Sequence, residues 1–333
     1  MQRISTAEVG TMKPLEGKVA VVAGATRGTG RGIACALGEA GATVYCTGRS
    51  TRENRPAHTG KKSKPFELDS RPETIEETAE MVTARGGCGV HAQVDHTDPA
   101  QVRALFRRVA RERKRLDILV NDVWGGDELT EWKAFWKHSL ENGLKMIERA
   151  VHSHVITAHA AAPLLIKTRG GLVVEITDGD HFGYRGTFFY DFVKTSVIRI
   201  AFALATEMRK YGVAALAVTP GFIRSEAMLD HLGVTEANWR DGAKKNPSFI
   251  ESETPLYVGR CVAALAADPD VMKKAGRVFA SWDLGPEYGI VDADGRRPNM
   301  REWFEKNMNW GEWKNCDETF YSYWCVPPES HMP

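Results

Sequence analysis

The sequence predicts an α/β fold in which a parallel β-sheet is covered by helices on both faces. Short apolar runs alternate along the chain with segments that have the periodicity of helices. Strands that are apolar on both faces and separated by helices are typical of a buried parallel sheet. The chain has 333 residues, of which 43% are hydrophobic, so it can bury the core of one large domain.

Seven of the apolar runs have the length of strands. In chain order they span residues 18–23, 42–47, 89–94, 117–121, 172–177, 213–218 and 277–280. The helical segments span residues 30–40, 72–85, 99–113, 140–167, 188–211 and 254–267. Gly41 follows the first helix and Pro72 lies in the first turn of the second, positions where these residue types end or begin helices. The polar stretch 50–71 is predicted to be a loop.

The two ends of the chain differ in composition from the α/β domain, which is predicted over residues 15–284. Residues 1–14 mix charged residues with Gly and Thr, and we interpret them as a flexible leader. Residues 285–333 form a C-terminal extension rich in Trp, Phe and Tyr, a composition unlike that of disordered segments. We expect the extension to pack on the body or on a neighbouring subunit, either near the substrate entrance or as a purely structural addition.

Composition and charge argue against several classes of protein. The formal net charge is +1, so nothing favours binding to nucleic acid or to an anionic membrane. No apolar run is long enough to cross a bilayer, and the N-terminus lacks the apolar core of a signal peptide. Six cysteines without CxxC spacing predict neither a disulfide framework nor a zinc site, and they favour reduced thiols in the cytoplasm.

A glycine-rich turn connects the first predicted strand to the first predicted helix. Gly24, Gly28 and Gly30 permit a close approach of backbone N–H groups to a pyrophosphate, and the helix N-terminus adds a favourable dipole. Thr26 and Arg27 lie within the same turn. Because the turn stands between a strand and a helix, it predicts a dinucleotide site and a doubly wound sheet of the Rossmann type.

The end of the second predicted strand indicates which dinucleotide binds. An NAD site usually has an acidic residue here, which holds the ribose diol. In this chain the strand leads into Gly48, Arg49 and Ser50, none of which is acidic. Arg49 can bind a 2′-phosphate and Arg27 can approach the same phosphate, whereas either arginine alone would be an ordinary surface residue. Together they favour NADP(H).

Tyr190 and Lys194 lie near the start of a long predicted helix. Their four-residue spacing places the phenol and the ammonium on one face of the helix. A free tyrosine ionises at about pH 10, and a neighbouring cation lowers that value. Such a tyrosine can donate a proton to an alkoxide as it forms, or remove one from an alcohol.

These motifs resemble those of the short-chain dehydrogenase/reductase family over residues 15–284. Besides the glycine turn and the Tyr190/Lys194 pair, the shared features are Val94-Asp95, Leu119-Val120-Asn121 and Pro220-Gly221. Residues 254–268 and 282–296 resemble the branch that includes dehydrogenase/reductase SDR family member 1. The resemblance implies reduction of carbonyl compounds with NADPH.

The resemblance also implies roles for matching residues. Tyr190 would be the proton donor, while Lys194 would hold the nicotinamide ribose and tune the tyrosine. Asp95 would contact the adenine amino group, and Asn121 would anchor the cofactor side of the sheet.

Past the sixth predicted strand, a further set of residues matches the family. The backbone from Pro220 through Gly221 to Ile223 would meet the carboxamide. Ser225 keeps a hydroxyl where the family usually has threonine.

The chain departs from the family at the end of the fifth predicted strand, where the family has a serine that binds the substrate carbonyl. Spacing places Asp178 at that position and Thr177 one residue earlier. An ionised carboxylate would oppose an alkoxide as it develops, a protonated one could donate a hydrogen bond, and either could suit a cationic substrate such as an iminium. Alternatively, Asp178 turns away and caps the loop while Thr177 supplies the hydroxyl.

Two further departures lie close to the predicted catalytic pair. Ala150 stands where the family has a helix asparagine, with His152 and His154 nearby as packed, exposed or catalytic residues. Trp124 follows the fourth strand, where it would shape the substrate site or fill core. Residues 222–250 are the loop-like segment where this family sets specificity.

The apolar side chains of that segment allow two interpretations. Met228, Leu229, Leu232 and Trp239 form either an apolar lid over a bulky ligand or ordinary helix packing.

Two functional hypotheses follow from the sequence. The main one is hydride transfer from NADPH to a ketone, aldehyde or imine carbon of a small molecule. The alternative is a non-catalytic NADP(H)-binding sensor or scaffold, because the serine and the helix asparagine are missing. By the family resemblance we expect a homodimer or homotetramer that associates through segments 140–167 and 188–211.

Overall fold

A computed structural model describes residues 13–54, 65–180 and 184–307 of the chain. Seven parallel strands in this part form one sheet, in the order β3-β2-β1-β4-β5-β6-β7. The strands are β1 (Val19–Ala23), β2 (Thr43–Gly48), β3 (Cys88–Gln93), β4 (Ile118–Asn121), β5 (Leu172–Ile176), β6 (Ala214–Thr219) and β7 (Val278–Ala280). The Rossmann-type fold predicted from the sequence is thereby confirmed.

Helices cover both faces of the sheet. They are α1 (Gly28–Glu39), α2 (Ile75–Ala84), α3 (Pro99–Arg113), α4 (Leu140–Ile147), α5 (Ser153–Thr168), α6 (Phe188–Met208), α7 (Glu226–Leu232), α8 (Pro255–Ala267), α9 (Ser281–Glu287) and α10 (Met300–Asn307). A π-helical turn, Glu148–His152, joins α4 to α5, so the helical segment predicted over 140–167 is continuous but locally widened. None of the described helices has the length and apolar character needed to span a bilayer.

The centre of the sheet is apolar on both faces. Val22, Val120, Val174 and Leu216 lie side by side on four neighbouring strands, and all are fully buried. Burial of these strands against helices on both sides supplies the main stabilisation of the fold.

The order of the strands places a crevice at the carboxyl ends of β1 and β4. The chain crosses outward from β1 through β2 to β3, then returns to β4 on the other side of β1. Ligands of doubly wound sheets bind at such a switch point. Gly24 follows β1 with a φ of +90°, and a Cβ on it would lie 2.6 Å from the carbonyl oxygen of Asp122, so only glycine fits.

The segment predicted as loop-like, 222–250, contains α7 and short 3-10 turns. Leu232, Val234, Trp239 and Phe249 form a small buried cluster of their own, which agrees with the helix-packing interpretation of this segment. Met228 packs on that cluster but also lines the crevice.

The C-terminal extension begins inside a helix. α9 runs across the boundary predicted at residue 284, and α10 follows after a loop. Phe304 packs on the cluster of Ala280, Trp282 and Met300, beside the crevice. Residues 1–12 of the leader and residues 308–333, which carry the rest of the predicted aromatic tail and Cys316 and Cys325, lie outside the described residues.

Candidate active site

A cleft of about 1210 Å³ opens at the carboxyl ends of the central strands. Its walls include most of the residues predicted to bind a dinucleotide, namely Gly24, Thr26, Arg27, Gly28, Arg49, Ser50, Asp95, Pro220, Gly221, Ile223 and Ser225. They also include the predicted catalytic and substrate residues Trp124, Thr177, Asp178, Tyr190, Lys194 and Met228. Gly30 and Asn121 are buried behind the wall.

The glycine turn has the geometry of a phosphate cradle. Gly28 has a φ of +53°, at which a side chain is strained, and a Cβ on Gly30 would clash with the carbonyl oxygen of Gly24 at 2.4 Å. The N–H of Gly28 donates to Oε2 of Glu226 at 2.8 Å. A carboxylate at the first turn of α1 stands where an anion is stabilised by the helix dipole. The turn thus fits the pyrophosphate of a dinucleotide, and no sequence motif indicated that Glu226 reaches it.

The two arginines that the sequence paired are in different environments. Nε of Arg27 donates to Glu73 at 3.0 Å, and Glu73 also binds Arg71. Arg49 is exposed at the rim of the cleft. Burial raises the pKa of the Asp95 carboxyl nearby, but hydrogen bonds from Thr97 and then the charge of Arg49 outweigh it and lower that pKa. Arg49 therefore offers its guanidinium to a ligand more directly than Arg27 does.

Tyr190, Lys194, Asp178 and Trp124 are brought together at the inner end of the cleft. The hydroxyl of Tyr190 donates to Oδ2 of Asp178 at 2.7 Å. The ammonium of Lys194 lies 4.0 Å from the ring centre of Trp124 and 5.5 Å from that of Tyr190. The Trp124 and Tyr190 rings meet edge to face, 5.4 Å apart. The tertiary fold thus assembles residues from the ends of β4 and β5 with the first turns of α6.

The geometry separates the two candidates for the missing serine. The hydroxyl of Thr177 donates to the backbone carbonyl of Lys194 at 2.7 Å, and Thr177 is buried. Asp178, in contrast, directs its carboxylate at the phenol of Tyr190. The side chain of Asp178 does not turn away to cap the loop but faces the hydroxyl of Tyr190. Thr177 instead contacts α6 through the backbone of Lys194.

Electrostatics at Tyr190 differ from the sequence-based expectation that Lys194 lowers the pKa of the phenol. The loss of surrounding water raises the pKa of Tyr190 well above 10, and the Asp178 carboxylate raises it further. Burial lowers the pKa of Lys194, against the opposite effect of Asp178, Asp127 and Asp122. The phenol is therefore held in its protonated form, which suits a proton donor.

A buried polar chain behind the site was missed at the sequence level. Nδ2 of Asn121 donates to Glu175 at 2.8 Å, and the other oxygen of Glu175 lies 2.6 Å from Nδ1 of His154. Nε2 of His154 is 3.0 Å from the carbonyl oxygen of Val123. The single acid in the otherwise apolar strand β5 was the signal that could have revealed this chain. It fixes the backbone just before Trp124, and it makes His154 a packed residue rather than one that lines the main cleft.

Ala150 lies in the π-helical turn, beside a second, smaller cavity. This cavity of about 20 Å³ borders Asp122, His154 and Lys194, and it is large enough for about one water molecule. Burial raises the pKa of Asp122 to about 7, while Lys194 and His154 oppose the shift. Asp122, His154 and Lys194 are thus the polar residues that border the cavity beside the position of the family's asparagine.

Comparison with known proteins identifies the family. A family model described as enoyl-(acyl carrier protein) reductase matches residues 68–272. Dehydrogenase/reductase SDR family member 1 from Homo sapiens is 33% identical over 288 residues, which cover 85% of each chain. A 7alpha-hydroxysteroid dehydrogenase from Clostridium sardiniense is 28% identical, over 84% of this chain and 92% of that protein.

Solved structures agree on the fold. A short-chain dehydrogenase from Mycobacterium thermoresistibile superposes with a TM-score of 0.69 at 18% identity, over 86% of this chain and 95% of that one. The sequence comparisons and the fold comparison agree on one family. The glycine turn and the Tyr190/Lys194 pair, which are motifs of that family, lie in one cleft. The chain belongs to the short-chain dehydrogenase/reductase family, oxidoreductases that bind NAD or NADP, in the branch of dehydrogenase/reductase SDR family member 1.

Proposed function

We propose that this protein is an NADPH-dependent oxidoreductase that reduces a carbonyl or imine carbon of a small molecule, with Tyr190 as the proton donor. The observation that carries this proposal is the position of the Tyr190 hydroxyl beside Asp178, in the same cleft as Lys194 and the glycine turn. When bound, the reduced dinucleotide supplies the hydride.

The residues of the chain supply binding and the proton. Gly24 and Gly28 would cradle the pyrophosphate, and the ammonium of Lys194, which lines the same cleft, would hold the nicotinamide ribose. Tyr190 donates its proton to the heteroatom of the substrate as the new C–H bond forms. The raised pKa of Tyr190 keeps the phenol protonated, which is the state from which a proton donor starts.

Arg49 supports the choice of NADP(H) over NAD(H). It is exposed after β2, at the position where NAD-binding proteins carry an acid, and a forked guanidinium suits a phosphate. Together with the four free cysteines of the described part, this fits a reducing, NADPH-rich compartment such as the cytoplasm.

The decisive experiment mixes the purified protein with NADPH and a panel of ketones, aldehydes and imines. We expect loss of NADPH absorbance with at least one compound, and a decrease of about 100-fold or more in Tyr190→Phe. Equal turnover by Tyr190→Phe would eliminate Tyr190 as the proton donor. Tight NADPH binding without turnover of any compound would instead favour the sensor or scaffold hypothesis.

We also propose that the protein forms a homodimer or homotetramer. Exposed apolar side chains occur on the helices that were predicted to associate, with Leu140 65%, Leu144 55%, Val155 50% and Phe192 46% exposed. Apolar area of this kind on neighbouring helices is typical of an interface. Light scattering that detects only monomers at micromolar concentration would overturn this expectation.

A further inference from the structure

We infer that the substrate carries its positive charge at the reacting centre, as an imine that becomes an iminium, rather than a neutral ketone or aldehyde. This inference rests on the proposed function and narrows its substrate class. Its basis is the hydrogen bond of 2.7 Å between the Tyr190 hydroxyl and the Asp178 carboxylate.

The position of Asp178 fixes the charge next to the substrate heteroatom. The atom that takes the proton of Tyr190 must lie within hydrogen-bond distance of its hydroxyl. Asp178 also lies within that distance of the hydroxyl, so its carboxylate is a near neighbour of the heteroatom. A ketone oxygen becomes negative as hydride arrives, which a carboxylate opposes, whereas an imine nitrogen becomes positive as it is protonated.

Among the described residues, Lys194 is a cation that interacts with Asp178 through the electrostatic field of the site, and it does so without a direct ion pair. No described residue forms an ion pair with Asp178 or Asp127 within 4.0 Å. The guanidinium of Arg185, which also lines the cleft, binds the backbone carbonyl of Asp178 and the carboxylate of Asp191 instead. Asp178 is therefore an acidic group that faces the position of a ligand, with the Tyr190 hydroxyl as its hydrogen-bond donor.

Aromatic rings complete the surroundings expected for a cation. The ring of Trp132 lies 6.2 Å from that of Tyr190, and the ring of Trp124 lies 5.4 Å from it on another side. Lys194 lies over Trp124 at 4.0 Å, a cation–π contact of the kind that a ligand cation would make with the open ring of Trp132. Trp132 is 72% exposed at the open side of the cleft, where an arriving ligand would cover it.

The reaction balances with NADPH as the co-reactant. The O–H bond of Tyr190 breaks as an N–H bond forms on the imine nitrogen, which gives the iminium beside Asp178. The carbon receives a hydride from the reduced dinucleotide, the C=N π electrons become the nitrogen lone pair, and the phenolate regains a proton from water. The imine is reduced to an amine, and NADPH is oxidised to NADP⁺.

The first test measures binding without turnover. Tryptophan fluorescence would follow titration with N,N-dimethyl-tetrahydroisoquinolinium, a permanent cation, and with 2,2-dimethyltetralin, its neutral carbon counterpart. We expect tighter binding of the cation, and a loss of about 30-fold in Asp178→Asn that the neutral ligand does not show. Asp180→Asn is the matched control, because Asp180 is already paired with Arg301 at 2.6 Å. Equal affinity for both ligands, or no change in Asp178→Asn, overturns the inference.

The second test separates this inference from the proposed function. With NADPH, 3,4-dihydroisoquinoline should be reduced with a higher kcat/KM than 1-tetralone, and Asp178→Ser should reverse that order. Reduction of 1-tetralone without selective binding of the cation would sink the imine inference and leave the oxidoreductase proposal standing. Selective binding of the cation with no reduction of any compound would support cation recognition and contradict the proposed function.

Discussion

The guanidinium of Arg224 and the carboxylate of Asp292 meet in the interior, 3.5 Å apart and both without solvent exposure. Arg224 precedes α7, and Asp292 belongs to the loop between α9 and α10. Asp292 also accepts the backbone N–H of Thr254 at 2.8 Å, at the start of α8. This contact connects the C-terminal extension to the segment 222–250, several residues of which line the cleft.

Replacement of Asp292 by asparagine should destabilise the protein. Arg224 keeps Asp294 at 3.1 Å and Glu236 at 3.3 Å, so the variant loses one charge-assisted contact, which costs about 2 kcal/mol. Urea unfolding measures the change in the free energy of unfolding. Asp241→Asn is the control, because Asp241 forms an exposed pair with Lys244. A loss no larger than that of the control would contradict a structural role for the buried pair.

Glu253 should make stability depend on pH. Burial raises the pKa of this carboxyl from 4.5 to about 8, although Ser281 and the N–H of Gly221 oppose the shift. Between these pH values the folded protein holds a proton that the unfolded chain has lost, so the contribution of Glu253 is complete below pH 4.5 and is lost as pH rises to about 8. One such group changes the free energy of unfolding by up to about 1.4 kcal/mol per pH unit.

Glu253→Gln removes this titration. Urea unfolding at several pH values from 5 to about 8 should therefore show a smaller loss of stability in the variant than in the wild type. If the buried amide of the variant lowers the free energy of unfolding, it does so equally at every pH and shifts the whole curve of stability against pH. Parallel curves for the two proteins would show that Glu253 is ionised in the folded state.

Arg49→Ala should weaken binding of NADPH while leaving that of NADH unchanged. A charge-assisted contact with the 2′-phosphate contributes about 2 kcal/mol, so the Kd for NADPH should rise about 30-fold. Quenching of tryptophan fluorescence or calorimetry measures both affinities. Arg52→Ala serves as the matched control, because Arg52 is occupied by Glu80 at 2.7 Å. An equal loss of affinity for both dinucleotides would argue against recognition of the 2′-phosphate.

Asp178→Ser should lower the pKa of Tyr190. The substitution removes a carboxylate that holds this pKa up, although the effect of burial remains. The limb of the kcat/KM profile that reports Tyr190 should move to lower pH, and reduction of neutral ketones should become faster. The pH dependence with a ketone substrate checks both expectations. An unchanged profile would indicate that Asp178 is not charged beside the phenol.

The strands and helices were predictable because their signal is local. α3 spans Pro99–Arg113 as predicted, since Pro99 and its capping neighbour Asp98 define the start and the apolar period defines the buried face. α2 is shorter than predicted, because Thr74 rather than Pro72 caps it: its side chain accepts the N–H of Glu77. The observed ends of the strands differ from the predicted ends by at most one residue, because pairing with neighbouring strands determines where a strand ends.

The site was only partly predictable, because side-chain direction depends on distant partners. The motif residues Tyr190 and Lys194 were found from their spacing, but the orientation of Thr177 toward Lys194 was not. Arg27 turns to Glu73, which lies 46 positions away in sequence, and Gly28 meets Glu226 from a segment with no readable pattern. Such pairings arise only when remote loops gather at one edge of the sheet.

The amino-acid sequence alone determined the doubly wound sheet, the glycine turn and the helix that carries Tyr190 and Lys194, because hydrophobic period and short-range spacing encode them. Only the tertiary structure decided that Asp178 faces the phenol, that Arg27 turns to Glu73 while Arg49 stays exposed, and that Arg224 binds the extension. These are contacts between charged groups far apart in the chain, and their energies depend on distance and burial, which no local pattern specifies.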